Sequence, residues 1–151
     1  MMLIAVIHGP NLNLLGVREP DVYGTVTLAR IDERIEALAE ELSVEVSICQ
    51  HNSEGAIIDA IHQAGCEADA IVINPAGYTH TSVAIHDALK AVPIPAIEVH
   101  LSNILAREEW RQRSVTAPAC AGVIGGLGAE SYLLALRGAV ALARESAEAA
   151  S

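Results

Sequence analysis

Glu98 and His100 stand two residues apart in the run Ala96-Ile-Glu-Val-His100. In a strand, the period of two puts carboxylate and imidazole on one side, where Glu98 can hold the ring in one tautomer for acid or base work. A second polar cluster follows the apolar run Ala70-Ile-Val-Ile73: first Asn74, then Tyr78-Thr-His80 and Ser82. An amide, an imidazole and the free N–H groups of a helix start would gather there, a setting for holding an anion. Asn11, Asn52 and Ser102 likewise follow apolar runs, and Arg18, Arg107 and Arg111 fall in or beside loops. Singly, each has a plainer reading as a turn or cap residue, a structural histidine or a solvated arginine.

Bringing these groups together requires strands that end at a common edge. Residues 3–7, 44–49, 70–73, 96–99 and 120–124 read as short strands, several of them continuously apolar as in strands buried on both faces. Helical spacing recurs over 28–42, with Leu28, Ile31, Ile35, Leu38 and Leu42 on one stripe, and over 54–63, 81–90 and 129–145. A shorter helical stretch is expected over 107–113. Ser53 is placed to cap the helix after it, and Val92-Pro-Ile-Pro95 must end the next. The alternation predicts an α/β fold: a flavodoxin-like three-layer sandwich with a five-stranded parallel sheet in order 2-1-3-4-5, right-handed crossovers, and one domain over residues 1–151. Strand carboxyl ends share one edge of such a sheet, so the polar clusters can meet in one crevice. Residues 11–25 form a long polar stretch without period, as functional loops often do.

Composition narrows the partners. A net charge of −10 argues against nucleic acid and an anionic membrane face, but leaves room for a small anionic substrate met by converging arginines. The chain is 52% hydrophobic without phenylalanine, richer in aliphatic residues than a monomer needs, which points to a homo-oligomer. Cys49, Cys66 and Cys120 are widely spaced and read as reduced, buried small residues of a cytoplasmic protein. Lys90, the single lysine, is the sole Schiff-base candidate and reads as solvated. Met1 to Ile7 lacks a basic leader and reads as a first strand rather than a signal peptide, and no apolar run approaches the ~20 residues of a membrane span.

Two further chemistries are open on these residues. His80, His100 and Glu98 could serve a metal-dependent hydrolase or lyase, although no tight His-x-x-x-His spacing occurs. Gly125-Gly-Leu-Gly128 before a helix has the look of a phosphate-binding turn of a nucleotide or flavin module, but its order and place suit tight packing better.

Gly9-Pro-Asn-Leu-Asn-Leu-Leu-Gly16, Arg18-Glu-Pro20 with Tyr23-Gly24, Asn52-Ser-Glu-Gly55, Asn74 with Tyr78-Thr-His-Thr-Ser82, Glu98-Val-His-Leu-Ser-Asn103 and Arg107-Glu-Glu-Trp-Arg111 together resemble type II 3-dehydroquinate dehydratases. The likeness runs in order through nearly the whole chain. It implies a cofactor-free enzyme that converts 3-dehydroquinate to 3-dehydroshikimate, in the shikimate pathway or in quinate breakdown, assembled as a dodecamer of trimers. By resemblance, Tyr23 is the base beside the ketone, Arg18 activates it, His100 protonates the departing hydroxyl, and Asn11 holds a water against the enolate. Asn74, His80, Arg111 and the Leu101 and Ser102 amides would bind substrate, Glu98 would orient His100, Arg107 would lie near the base, and Asp87 would reach a neighbouring subunit's site. The 11–25 loop is expected to close over bound substrate and exclude water. His8 departs from the family pattern, where Asn is usual; Ala76-Gly77 reverses the usual small pair; and His86 and Leu105 replace a common Arg and a frequent His.

Overall fold

A computed structural model describes residues 1–17, 19–23 and 25–151, and of Tyr23 the backbone alone. The strands are β1 (Leu3–His8), β2 (Glu45–Gln50), β3 (Ala70–Asn74), β4 (Ala96–His100) and β5 (Gly122–Gly125). The helices are α1 (Pro20–Tyr23), α2 (Leu28–Glu41), α3 (Glu54–Glu67), α4 (Val83–Ala91) and α5 (Ala129–Ala150). The strands form one sheet in order β2-β1-β3-β4-β5, every neighbouring pair parallel, as the alternation predicts.

Apart from Glu98 in β4 and the polar residues at their carboxyl ends, the central strands are apolar because both their faces are covered. Ile4 and Val6 of β1, Val72 of β3 and Ile97 and Val99 of β4 pack with Ile31 and Ile35 of α2 and with Tyr132, Leu136 and Val140 of α5. The alternate residues Ala5, Ile7, Ile71, Ile73 and Ala96 pack on the other face with Ile57 and Ile61 of α3 and Ile85 and Leu89 of α4. A one-residue slip of any central strand would exchange these two cores, so the register is firmly set.

Helix starts follow local chemistry. Thr27, Ser53 and Ser82 each accept a hydrogen bond from a first-turn N–H, those of Arg30, Ala56 and Ile85 respectively. Helix ends were less legible. Both α3 and α5 run past their expected limits of 63 and 145, α5 because Ala147-Glu-Ala-Ala150 contains no breaker. The α3 extension includes Gly65, where a Cβ would lie 2.6 Å from Val92 Cγ1, so the glycine lets α3 settle on the chain leaving α4. The stretch expected to be helical over 107–113 instead contains a single 3-10 turn, Glu109–Arg111, preceded by another at Ile104–Ala106. None of the cysteines is fully buried: Cys49 and Cys120 are half-buried and Cys66 faces solvent from α3, which corrects the expectation of buried small residues.

Candidate active site

β1 connects to β2 on one side while β3 and β4 lie on the other, so the chain reverses direction between β1 and β3. The exits of these two strands are pressed together at that point. Gly9 N–H donates to the Asn74 carbonyl at 2.8 Å, and a Cβ on Gly9 would lie 2.7 Å from the Pro75 carbonyl atoms. This approach sets Pro10, Asn11 and Leu12 beside Asn74, Ala76 and Gly77 as one wall of a pocket. The opposite wall comes from the exit of β4, with His100, Leu101 and Ser102, and the rim from His80, Arg107 and Arg111. Eight predicted site residues thus border one cavity: Asn11, Asn74, His80, His100, Leu101, Ser102, Arg107 and Arg111.

The others lie elsewhere. Glu98 is fully buried behind His100, on the same side of β4. Asp87 is exposed on α4 and does not border this pocket. Arg18 lies outside the described residues, as does the side chain of Tyr23. Asn52 does not line the pocket; its Oδ1 accepts from Asn11 N–H and Gln50 Nε2, both at 3.0 Å, and steadies the first wall.

His100 is held by a buried carboxylate. Its Nε2 donates to Glu98 Oε2 at 2.9 Å, which leaves Nδ1 as the ring nitrogen not engaged by Glu98. Glu98 is itself satisfied from behind. Ser114 Oγ donates to Oε2 at 2.9 Å and Thr116 Oγ1 donates to Oε1. A carboxylate at 0% exposure needs such donors, since burial without them is severely unfavourable. The motif reading missed Ser114 and Thr116, although their spacing of two is the one that pairs Glu98 with His100. Removing the Thr116 hydroxyl as Thr116→Val should destabilise the fold by about 1–3 kcal/mol, read as a lower urea midpoint.

At the rim, Glu108 accepts from Arg111 Nε at 2.8 Å and pairs with Arg107 Nε at 3.6 Å, so one carboxylate braces both guanidinium groups. The Arg111 hydrogen bond, with smaller help from both positive charges, holds the Glu108 carboxyl below its ordinary range. Arg111 also lies over the Trp110 ring, 4.1 Å from its centre, and His80 meets the same ring edge-on. His80 Nδ1–H donates to the Arg113 carbonyl at 2.8 Å, which leaves Nε2 as the ring nitrogen not engaged there. Two arginines and two imidazoles border this one cavity in a chain of net charge −10, so positive charge is concentrated where the rest of the surface is acidic.

Gly125–Gly128 is a packing device. A Cβ on Gly125 would come within 3.2 Å of His100 Cβ, and one on Gly126 equally near Asn103 Cβ, so the turn fits against the loop that carries His100. Among the described residues, no three His, Cys, Asp or Glu side chains gather as a metal-binding group.

The sequence matches the class II dehydroquinase family over residues 2–140. The chain belongs to that family. Membership places it among the dehydratases, which are hydro-lyases. A relative named 3-dehydroquinate dehydratase from Pelotomaculum thermopropionicum is 57% identical over 142 residues, covering 94% of this chain and 99% of the relative. One of the same name from Caldicellulosiruptor bescii is 58% identical over 137 residues, covering 90% of this chain and 94% of that one. The crystal structure of the type II dehydroquinase from Butyrivibrio crossotus superposes with a TM-score of 0.90 at 47% identity, covering 91% of this chain and 97% of that one. The fold is accordingly flavodoxin-like.

The order of the pair Ala76-Gly77 has a local physical cost. Ala76 adopts φ 52, in the left-handed region that favours glycine, while Gly77 at the next position needs no such freedom. Ala76→Gly is therefore expected to stabilise the protein by about 1 kcal/mol, seen as a higher Tm, because it relieves the strained alanine beside the pocket wall.

Cys120 lies close to Glu98, and burial, helped by that negative charge, pushes its thiol up to about 12. In the unfolded chain a thiol ionises near ~8.5. The folded state retains the proton longer, so its contribution to stability is complete below that pH and is lost as pH rises towards 12. Alkaline denaturation should be less steep in Cys120→Ala, compared by melting the two proteins between pH 8 and 10.

Proposed function

We propose that this chain eliminates water from 3-dehydroquinate to give 3-dehydroshikimate, acting over residues 1–151 as a single catalytic unit. The observation that carries the reading is the convergence of Asn11, Asn74, His80, His100, Arg107 and Arg111 on one cavity at the switch point of the sheet, in a chain of this family.

The reaction divides into two proton movements. Tyr23, made basic by Arg18, takes the proton next to the ketone, and the electron pair passes to the ketone oxygen as an enolate. Asn11 holds a water against that oxygen. The enolate then collapses, the carbon–oxygen bond to the neighbouring hydroxyl breaks, and His100 supplies the proton with which the group leaves as water. Arg111 meets the substrate carboxylate, Asn74, His80 and the Leu101 and Ser102 amides position the ring, and Arg107 lies near the base. These roles require neither metal nor Schiff base. Lys90 is in the last turn of α4 and exposed.

The shikimate pathway, in the cytoplasm, is the setting we assign, with quinate breakdown as the alternative use of the same reaction. We also assign a homo-oligomer, a dodecamer built of trimers. Large apolar side chains left open on the single chain support it, among them Val83, Leu105, Val123 and Leu127. In that assembly Asp87, exposed on α4, serves a neighbour's site.

Incubation with 3-dehydroquinate is the direct test. The conjugated enone of the product absorbs in the ultraviolet where the substrate does not, so absorbance must rise with time. A flat trace from the folded protein would end the proposal.

A further inference from the structure

Asn74 is almost fully buried, yet it borders the pocket, and both ends of its carboxamide are engaged by other parts of the chain. Oδ1 accepts from Ala76 N–H at 3.0 Å, and Nδ2 donates to Tyr132 Oη at 3.1 Å. Tyr132, on α5 and at 0% exposure, shares its hydroxyl with His8 Nδ1 at 2.9 Å. His8, the last residue of β1, is equally buried, and its Nε2 lies 2.8 Å from Asp32 Oδ1 on α2. The Asp32 carboxylate is the one partly open end of this chain, with 28% of its side chain exposed.

The directions of these bonds follow from the donor inventory. An ionised carboxylate only accepts, so His8 donates from Nε2 and in its neutral form presents a bare Nδ1. Tyr132 must then donate to Nδ1, and its oxygen accepts from Asn74. Burial holds the Tyr132 phenol well above its ordinary range, so it stays a donor. Every donor from Asn74 to His8 therefore points towards Asp32, and such a one-way chain fixes which end of the amide is nitrogen.

We propose that Asp32, His8 and Tyr132 are positioning residues for Asn74: they lock its carboxamide so that the second Nδ2 hydrogen, the one not given to Tyr132, is presented to the substrate. None of the three lines the pocket. The inference deepens the reading of Asn74 as a substrate-binding residue and rests on it. Four elements, β1, α2, β3 and α5, are tied through this chain to a single amide.

Two measurements test it. The first needs no substrate. The Asn74 side-chain NH2 signals, assigned by their loss in Asn74→Ala, should exchange with water at least tenfold faster in Tyr132→Phe than in the parent protein; unchanged exchange overturns the proposal. The second is a cycle of kcat/KM for 3-dehydroquinate. Tyr132→Phe should lose about tenfold, mostly through KM, and Asp32→Ala, at the partly open end where folding is least threatened, about threefold. Neither change should reduce activity further in an Asn74→Ala background. Losses that multiply in the double variants would mean that Tyr132 and Asp32 act on general stability and not through Asn74. If the parent protein does not act on 3-dehydroquinate, it is the substrate reading that falls, and the exchange measurement still decides the positioning role.

Discussion

His100→Ala is expected to lower kcat for the dehydration of 3-dehydroquinate by about 10²–10⁴-fold, with a far smaller change in KM. Without a positioned acid, the departing group must leave as hydroxide, a far poorer leaving group than water. His100 borders the cavity, and its Nε2 is committed to Glu98, itself held by Ser114 and Thr116. The imidazole is therefore delivered in one orientation, with Nδ1 as the nitrogen left for the substrate. His80 borders the same cavity, but its Nδ1–H is spent on the Arg113 carbonyl, which suits a binding role, so His80→Ala should act mainly on KM. Steady-state kinetics on the two variants separates these roles. A His100→Ala enzyme within tenfold of the parent kcat would remove His100 as the acid.

Tyr23→Phe should abolish turnover while leaving substrate binding measurable by calorimetry. The chain has three tyrosines. Tyr132 is kept protonated by burial, and Tyr78 donates its hydroxyl to the Asn52 carbonyl at 2.9 Å and does not line the pocket. Tyr23 is the remaining phenol. A phenol titrates near ~10, and lowering that by about two units requires about 2.7 kcal/mol. A guanidinium about 4 Å away supplies on the order of 4 kcal/mol at an effective dielectric of ~20, so Arg18 is sufficient in scale. Near-normal turnover in Tyr23→Phe would rule out this base.

Much of the architecture was legible in the chain because local rules and the tertiary fold agree. Residues 28–42 announced a helix through the spacing of Ile31, Ile35 and Leu38, all of which point into the core. Strand period alone sets Glu98 and His100 on one side of β4, where their side chains meet. The stretch 107–113 was misjudged because its helix-favouring residues, Arg107 to Arg113, lack an apolar stripe and are held instead by their ion pairs to Glu108. Cys66 was misplaced for a similar reason: hydrophobicity alone cannot say which side of α3 a small residue occupies.

By itself the sequence determined that strands and helices alternate and that polar clusters follow the strands' carboxyl ends, since both depend on periods of two and 3.6 residues. It also carried the family motifs that name the reaction. Only the tertiary structure decided what stands behind those clusters. His8 and Tyr132 are 124 residues apart in the chain, and Asn74 and Tyr132 are 58 apart, yet they share one hydroxyl. Contacts of that range arise from the order in which strands pair and from the seating of α5 against β3 and β4, and no local spacing encodes either.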